Sequence, residues 1–313
     1  MAFNSTANRS HLCLVREVEA IGGNVKASAS RDQMSFTYEA LKTYVPQMVE
    51  LLVDSVRNQV FLDWEVKDQI QKVKAEISEC ANNPETLLLE AVHSAGYSGA
   101  LANPLIASEA SLNRLDNTIL EQFVSVEEPK SVYLGGDRRV KADTGRTSFA
   151  LAFGLPGGWL NMKEAMTLTV LQMLMGGGDS FSAGGPGKGM YSRLSDLRVL
   201  NEYPEIPSFS AFNFIYSNTA LFGIQGTTSP KFARKAIDLV VEDLETIRFE
   251  GAVRPEQLDR AKQSTKSAIL MNLESRTVAS EDIGRQIMIY GESYKCTILQ
   301  VGLLTAGLLM FKA

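Results

Sequence analysis

The chain repeats itself, and that repeat is the strongest constraint on what it can fold into. Shifted by 188 residues, Val49-Glu50-Leu51-Leu52-Val53-Asp54 falls on Ile237-Asp238-Leu239-Val240-Val241-Glu242. Further on, Ile70, Lys72, Val73 and Lys74 fall on Leu258, Arg260, Ala261 and Lys262, and Gly96 falls on Gly284. Apolar positions land on apolar ones and charges keep their sign, which marks one domain type used twice. The division expected is an incomplete first domain over residues 1–130 and a second over residues 131–313 with an atypical tail.

Each half reads as strands next to long helices, so the fold class expected is α+β: duplicated domains, each a mixed or antiparallel sheet packed against helices. In the first half, Gly22-Gly23 precedes a strand pair at Ala27 to Ser30 and Gln33 to Tyr38. Helices follow at Leu41 to Val56, Trp64 to Cys80, Thr86 to Ala95 and Ser111 to Val124, then a polar link over residues 126–146. In the second half, Thr147 to Leu155 alternates as a strand, and Met162 to Met175 carries Leu168, Leu171, Leu174 and Met175 at helical spacing. A glycine-rich stretch comes next, then a short helix near Tyr191 to Leu200. A hairpin is expected from Ser208 to Tyr216 and Ala220 to Thr228, with Asn218 in its turn. Helices are expected at Pro230 to Phe249 and from Pro255 to Tyr290, the prolines suiting first helical turns. The offset sets Met1 opposite Gly189, so the first half is expected to lack the opening strand and first helix that the second half carries.

Composition narrows the chemistry. With 313 residues, 45% of them hydrophobic, the chain can bury a sizeable core. The net charge is −5 and no Lys/Arg run forms a nucleic-acid footprint. Cys13, Cys80 and Cys296 are scattered and odd in number, which reads as free thiols in a reducing compartment. Two histidines, His11 and His93, lie far apart, and neither has a second histidine within a helical turn, so a zinc site built on His and Cys ligands is not expected. No Gly-x-Ser-x-Gly is present. The amino-terminal residues lack the apolar run of a signal peptide and make a poor transit peptide. Ile298 to Phe311 is apolar but too short for a bilayer, and a buried helix or strand is expected there.

The stretch of most interest is Gly176, Gly177, Gly178, Asp179, Ser180, Phe181, Ser182, Ala183, Gly184, Gly185, Pro186, Gly187, Lys188 and Gly189: seven glycines in 14 residues between helices. Glycine accepts positive φ and lets another backbone come close, so the stretch suits contact with an extended peptide. A phosphate-binding loop needs Gly-x4-Gly-Lys-Ser/Thr after a strand. Here Ser182 stands where the first glycine belongs, Gly189 follows Lys188, and the preceding element is a helix. Phe181, Met190 and Tyr191 distinguish the stretch from an ordinary Gly/Ser linker.

These residues carry a resemblance. LQMLMGGGDSFSAGGPGKGMYSRL, RVLNEYPEI, LFGIQGTTS and RAKQSTKSAILMNLESRTVASEDIGRQIMIYGE in the second half, with REVEAIGG, FLDWEV and HSAGYSG in the first, resemble the pitrilysin-like metallopeptidases. Within that family the likeness is to the alpha subunits of mitochondrial processing peptidases, plant-type above all. The resemblance implies two similar α+β domains and a non-catalytic subunit that recognises targeting presequences through Gly176 to Gly189. It implies a beta-type catalytic partner holding zinc on an inverted His-x-x-Glu-His motif, presequence peptides as ligands, and no cofactor in this chain. It also implies a mitochondrial location, in the matrix or on the matrix side of the inner membrane. A structural core subunit of the respiratory cytochrome bc complex is the alternative it leaves open, with an inactive shortened product beside it. Glu76 or Glu79 stands near the family's distant zinc-binding glutamate, but without histidine partners both read as a solvated helix face. A stretch that the family carries before Glu127-Glu128-Pro129 is missing, and the chain after Glu292 departs from the pattern.

Overall fold

A computed structural model describes residues 3–123, 131–141, 145–177, 192–194, 208–249 and 251–293. It is α+β, as expected, and it divides into two compact units. One comprises residues up to 87 together with 99–131; the other comprises 88–98 and everything from 132 onward.

The first unit opens with helix α1 (His11–Ala20), capped by the Ser10 hydroxyl, which accepts from the Cys13 N–H. A hairpin follows, β1 (Asn24–Ala29) antiparallel to β2 (Met34–Glu39), with Val25 opposite Tyr38 and Ala27 opposite Phe36. Helices α2 (Val45–Arg57) and α3 (Asp63–Cys80) come next. Leu14 and Val18 of α1 meet Met48 and Leu51 of α2 in a small core, flanked by Ile21, Val25 and Tyr38. The sequence reading had no helix at His11 to Ala20; its apolar periodicity is short and ends at Gly22-Gly23.

Helix α4 (Pro84–Gly96) begins in the first unit and finishes in the second. Where one helix was expected from Ser111 to Val124, the chain forms two short ones, α5 (Glu109–Leu112) and α6 (Asn117–Phe123). Asp116 separates them by capping afresh, its carboxylate accepting from the Ile119 N–H at 2.9 Å. The link expected over residues 126–146 is not wholly irregular. Val132–Tyr133 (β4) pairs antiparallel with Tyr97–Ser98 (β3).

The second unit is built on a three-stranded antiparallel sheet in the order β5 (Thr147–Pro156), β7 (Thr219–Thr228), β6 (Ser208–Ile215). Helix α7 (Met162–Met175) is apolar on several sides because it is packed on two. Leu168 and Met175 join the sheet cluster of Phe149, Ala211, Phe222 and Ile224, while Val170 and Leu174 meet Val253, Leu258 and Ala261. Helix α8 (Ala233–Ile247) adds Ala236 and Val240 to the sheet cluster. It starts three residues after Pro230, not at it. The run expected from Pro255 to Tyr290 is two helices, α9 (Pro255–Glu274) and α10 (Arg276–Tyr290). Ser275 leaves the helical region, with ψ at 119°, and breaks the run.

The repeat is visible in the architecture. The offset lays the first residue of α2 on the first residue of α8, and it lays β1–β2 over β6–β7. Among the described residues the halves differ at their hairpins. The second hairpin receives β5 and becomes a three-stranded sheet, with almost every residue of β7 buried, whereas the first remains two-stranded, with β1 largely exposed.

Candidate functional site: the base of the glycine-rich stretch

The described residues include the first two residues of the glycine-rich stretch, Gly176 and Gly177, and three residues beyond it, Ser192 to Leu194, in the second unit. Residues 178–191 lie outside them, and so do the carboxylates of Asp179, Glu202 and Glu205 and the helix expected near Tyr191 to Leu200, apart from Ser192–Leu194, which form a turn.

At the first end, α7 stops because Gly176 turns left-handed, with φ at 119°, while its N–H reaches the Gln172 carbonyl at 3.0 Å. Gly177 is glycine for a different reason. A Cβ there would lie 2.2 Å from the Ala211 carbonyl oxygen of β6. The Gln172 side-chain amide donates to that oxygen at 3.3 Å and to the Gly177 carbonyl at 3.4 Å. Beyond the stretch, the Arg193 N–H donates to the Leu174 carbonyl at 2.9 Å, and the Leu194 N–H to the Met175 carbonyl at 3.1 Å. Those bonds satisfy carbonyls that a helix terminus leaves open. Leu194 is buried in the sheet cluster. The Arg193 guanidinium then ties the turn to α8 and beyond: Nε pairs with Asp243 at 3.0 Å and Nη1 donates to the Ala252 carbonyl at 3.0 Å.

Of the residues singled out from sequence, Gly176 and Gly177 are thus placed against the end of α7 and the edge of β6. Gln172, Arg193 and Asp243 were not singled out. Their spacing carries no motif, and only the fold brings 172, 193, 211 and 243 together.

The histidines and the remaining carboxylates are accounted for elsewhere. His93 is only 2% exposed. Its Nδ1–H donates to the Leu89 carbonyl at 2.8 Å, and its Nε2 shares a hydrogen bond with the Tyr216 hydroxyl at 2.6 Å. Phe214 and Tyr97 pack around the imidazole. His11 is exposed and donates through Nδ1 to the Phe3 carbonyl at 2.7 Å. Glu76 and Glu79 stand exposed on α3. These residues do not fit a zinc ion: the imidazoles are spent on backbone and phenol, and neither glutamate stands beside a histidine on its helix. Among the described residues, no group of three His, Cys, Asp or Glu side chains has the geometry for a metal, and no helix is long and apolar enough to cross a membrane.

The first unit has a polar core of its own. Asp54 is buried and accepts from the Thr6 hydroxyl at 2.7 Å, Asn8 at 2.6 Å, Asn58 at 2.8 Å and Arg9 at 3.0 Å. Burial alone would raise its pKa, but the hydrogen bonds from Asn58, Thr6, Asn8 and Arg9 outweigh it and hold the carboxyl well below the ordinary range. Glu65 takes the Ser5 hydroxyl at 2.7 Å. Both carboxylates are saturated by structural partners.

Comparison with known proteins gives these features a context. Residues 1–109 match the family profile described as Insulinase (Peptidase family M16), and residues 89–265, more than half of the chain, match that described as Peptidase M16 inactive domain. The chain is 61% identical to the mitochondrial-processing peptidase subunit alpha of Solanum tuberosum, over 93% of its own length and 65% of the relative's. It is 56% identical to the probable mitochondrial-processing peptidase subunit alpha-1 of Arabidopsis thaliana over the same shares, and 27% identical to the human subunit alpha over 92% of its length and 65% of that protein's. The chain therefore spans 65% of the length of its plant relatives. The 328 aligned positions outnumber the 313 residues here, so the potato relative carries residues inside the aligned region that this chain lacks.

Proposed function

The chain belongs to peptidase family M16, and from that premise we propose that it is a non-catalytic, substrate-recognition subunit of a mitochondrial processing peptidase. The observation that carries this reading is the coincidence of two facts. The profile named for the family's inactive domain covers most of the second unit, and the plant relatives at 56–61% identity are named as subunits alpha. The burial of His93 supports the reading, since its imidazole is committed to the Leu89 carbonyl and the Tyr216 hydroxyl. Peptide-bond cleavage then falls to a beta-type partner that holds the zinc. This chain contributes binding of the targeting presequence along Gly176 to Gly189, in the mitochondrial matrix or on the matrix side of the inner membrane. A presequence is basic and amphipathic, and Asp179, Glu202 and Glu205 are the carboxylates in or just after that stretch suited to its arginines.

The test is binding of a labelled basic amphipathic peptide to the full chain, alone and with a beta-type subunit. Because Gly176 and Gly177 are needed to end α7 against β6, the deletion should span residues 178–189 only. We expect the dissociation constant to rise by about tenfold or more, roughly the loss of 1.4 kcal/mol of contact, with partner binding retained. Unchanged affinity after the deletion rejects the reading. Recovery of the chain solely within a respiratory complex, with no peptide binding, would favour a structural core role instead.

A further inference from the structure

The hairpin of the first unit leaves open an edge that its counterpart in the second unit covers. The Ser30 N–H donates to the Gln33 carbonyl and closes the β1–β2 turn, which with the register turns the backbone groups of Met34, Phe36 and Tyr38 away from β1. Phe3 meets the Phe36 and Tyr38 rings edge-on, but among the described residues no strand pairs with β2 on that side. The offset of 188 residues sets Met34, Phe36 and Tyr38 on Phe222, Ile224 and Gly226, which pair with Phe153, Leu151 and Phe149 of β5. It also sets Val45, Val49, Leu52 and Val56 of α2 on Ala233, Ile237, Val240 and Leu244 of α8. In the second unit Ile237, Val240 and Leu244 join the cluster that holds Phe149 and Leu151. In the first unit Val45, Val49 and Val56 stand 44–50% exposed. What this domain type lays at such an edge is an antiparallel strand with apolar side chains on alternate residues. β2 itself meets that description, with Met34, Phe36 and Tyr38 on one face. We propose that the occupant is a second copy of this chain, joined β2 to β2 about a two-fold axis at Phe36. Met34 then stands opposite Tyr38 of the partner copy, and the two hairpins make one four-stranded antiparallel sheet. The same axis keeps both α2 helices on one face of that sheet. Their stripes are self-complementary as well: Val45, Val49, Leu52 and Val56 recur at steps of four, three and four, the spacing of a two-helix seam. Each patch meets itself, so the contact closes at two copies.

The experiment is sedimentation equilibrium of the full chain from low to high micromolar concentration, with amide hydrogen exchange on the same samples. The mass should rise from one copy to two and stop there. The amides of Met34, Phe36 and Tyr38 should gain protection as concentration rises, while that of Ser35, already paired with Ser28 in the hairpin, should not. Val49→Glu puts a charge into the seam at an exposed position. It should raise the dissociation constant about tenfold or more without lowering the melting temperature of the dilute chain. Met34→Pro removes an N–H that β1 does not use, and should weaken pairing while the hairpin's own ladder persists. A single-copy mass throughout overturns the proposal, and so does a mass that climbs past two copies. A dimer that both variants leave unchanged, or that forms without added protection at Met34, Phe36 and Tyr38, uses another surface and overturns it equally.

Discussion

Asp54 gathers four donors from two parts of the first unit, so its carboxylate is a joint between α2 and the segment before α1. Replacing it with Ala removes the shared acceptor of Thr6, Asn8 and Asn58 and the most buried of the three carboxylates around Arg9, which keeps Glu17 and Glu50. We expect a loss of about 3 kcal/mol, the cost of breaking a buried charged network. The pH dependence has a definite sign. The folded-state pKa is depressed below the unfolded one, so the contribution is fully present above the unfolded carboxyl value of about 3.9 and is lost progressively as pH falls below it. Denaturation of the wild type and of Asp54→Asn across that range checks this; equal acid sensitivity in the two would contradict it. Nothing in the sequence marks Asp54 as different from Glu50 four residues earlier. Both sit on an amphipathic helix and both pair with Arg9, and only the arrival of Thr6 and Asn8 at Asp54 separates a buried acceptor from an exposed one.

At the scale of elements, the end of α7 teaches how far glycine counting can be trusted. The density of glycine pointed to the stretch, but not to the different reasons behind individual residues. Gly177 is required by the Ala211 carbonyl 2.2 Å from where a Cβ would stand. Gly177→Ala should therefore cost about 1–3 kcal/mol of stability, as overpacking does. A stability unchanged within about 0.5 kcal/mol would show that β6 yields easily. Elements set by strong local patterning were legible: α7, β5 and the β6–β7 hairpin lie within a residue or so of their expected bounds. Elements set by capping or pairing at a distance were not. Asp116 and Ser275 divide helical runs whose apolar period continues past them, and β4 exists because Tyr133 meets Tyr97 across sequence that reads as a link.

For the whole molecule, the duplication was legible because helix periodicity survives sequence drift better than loop chemistry does. The candidate site was legible only as a stretch, since its fixed parts at 172, 193, 211 and 243 come from four separate elements. The charge balance supplies a prediction at this scale. A chain of net charge −5 that recruits a basic peptide through carboxylates should bind it more weakly as salt rises, because the screening length contracts from about 10 Å at 0.1 M to about 3 Å at 1 M. An affinity flat across that range would point to apolar contacts instead. Helix α4 has a consequence of another kind. Its residues from Leu88, with His93 and Tyr97, belong to the unit otherwise made of residues beyond 131. A recombination event that copied only the later segment would inherit Tyr216 without the imidazole that its phenol grips. The second unit is therefore not one uninterrupted stretch of the chain, and a fragment that starts at residue 132 would lack part of it.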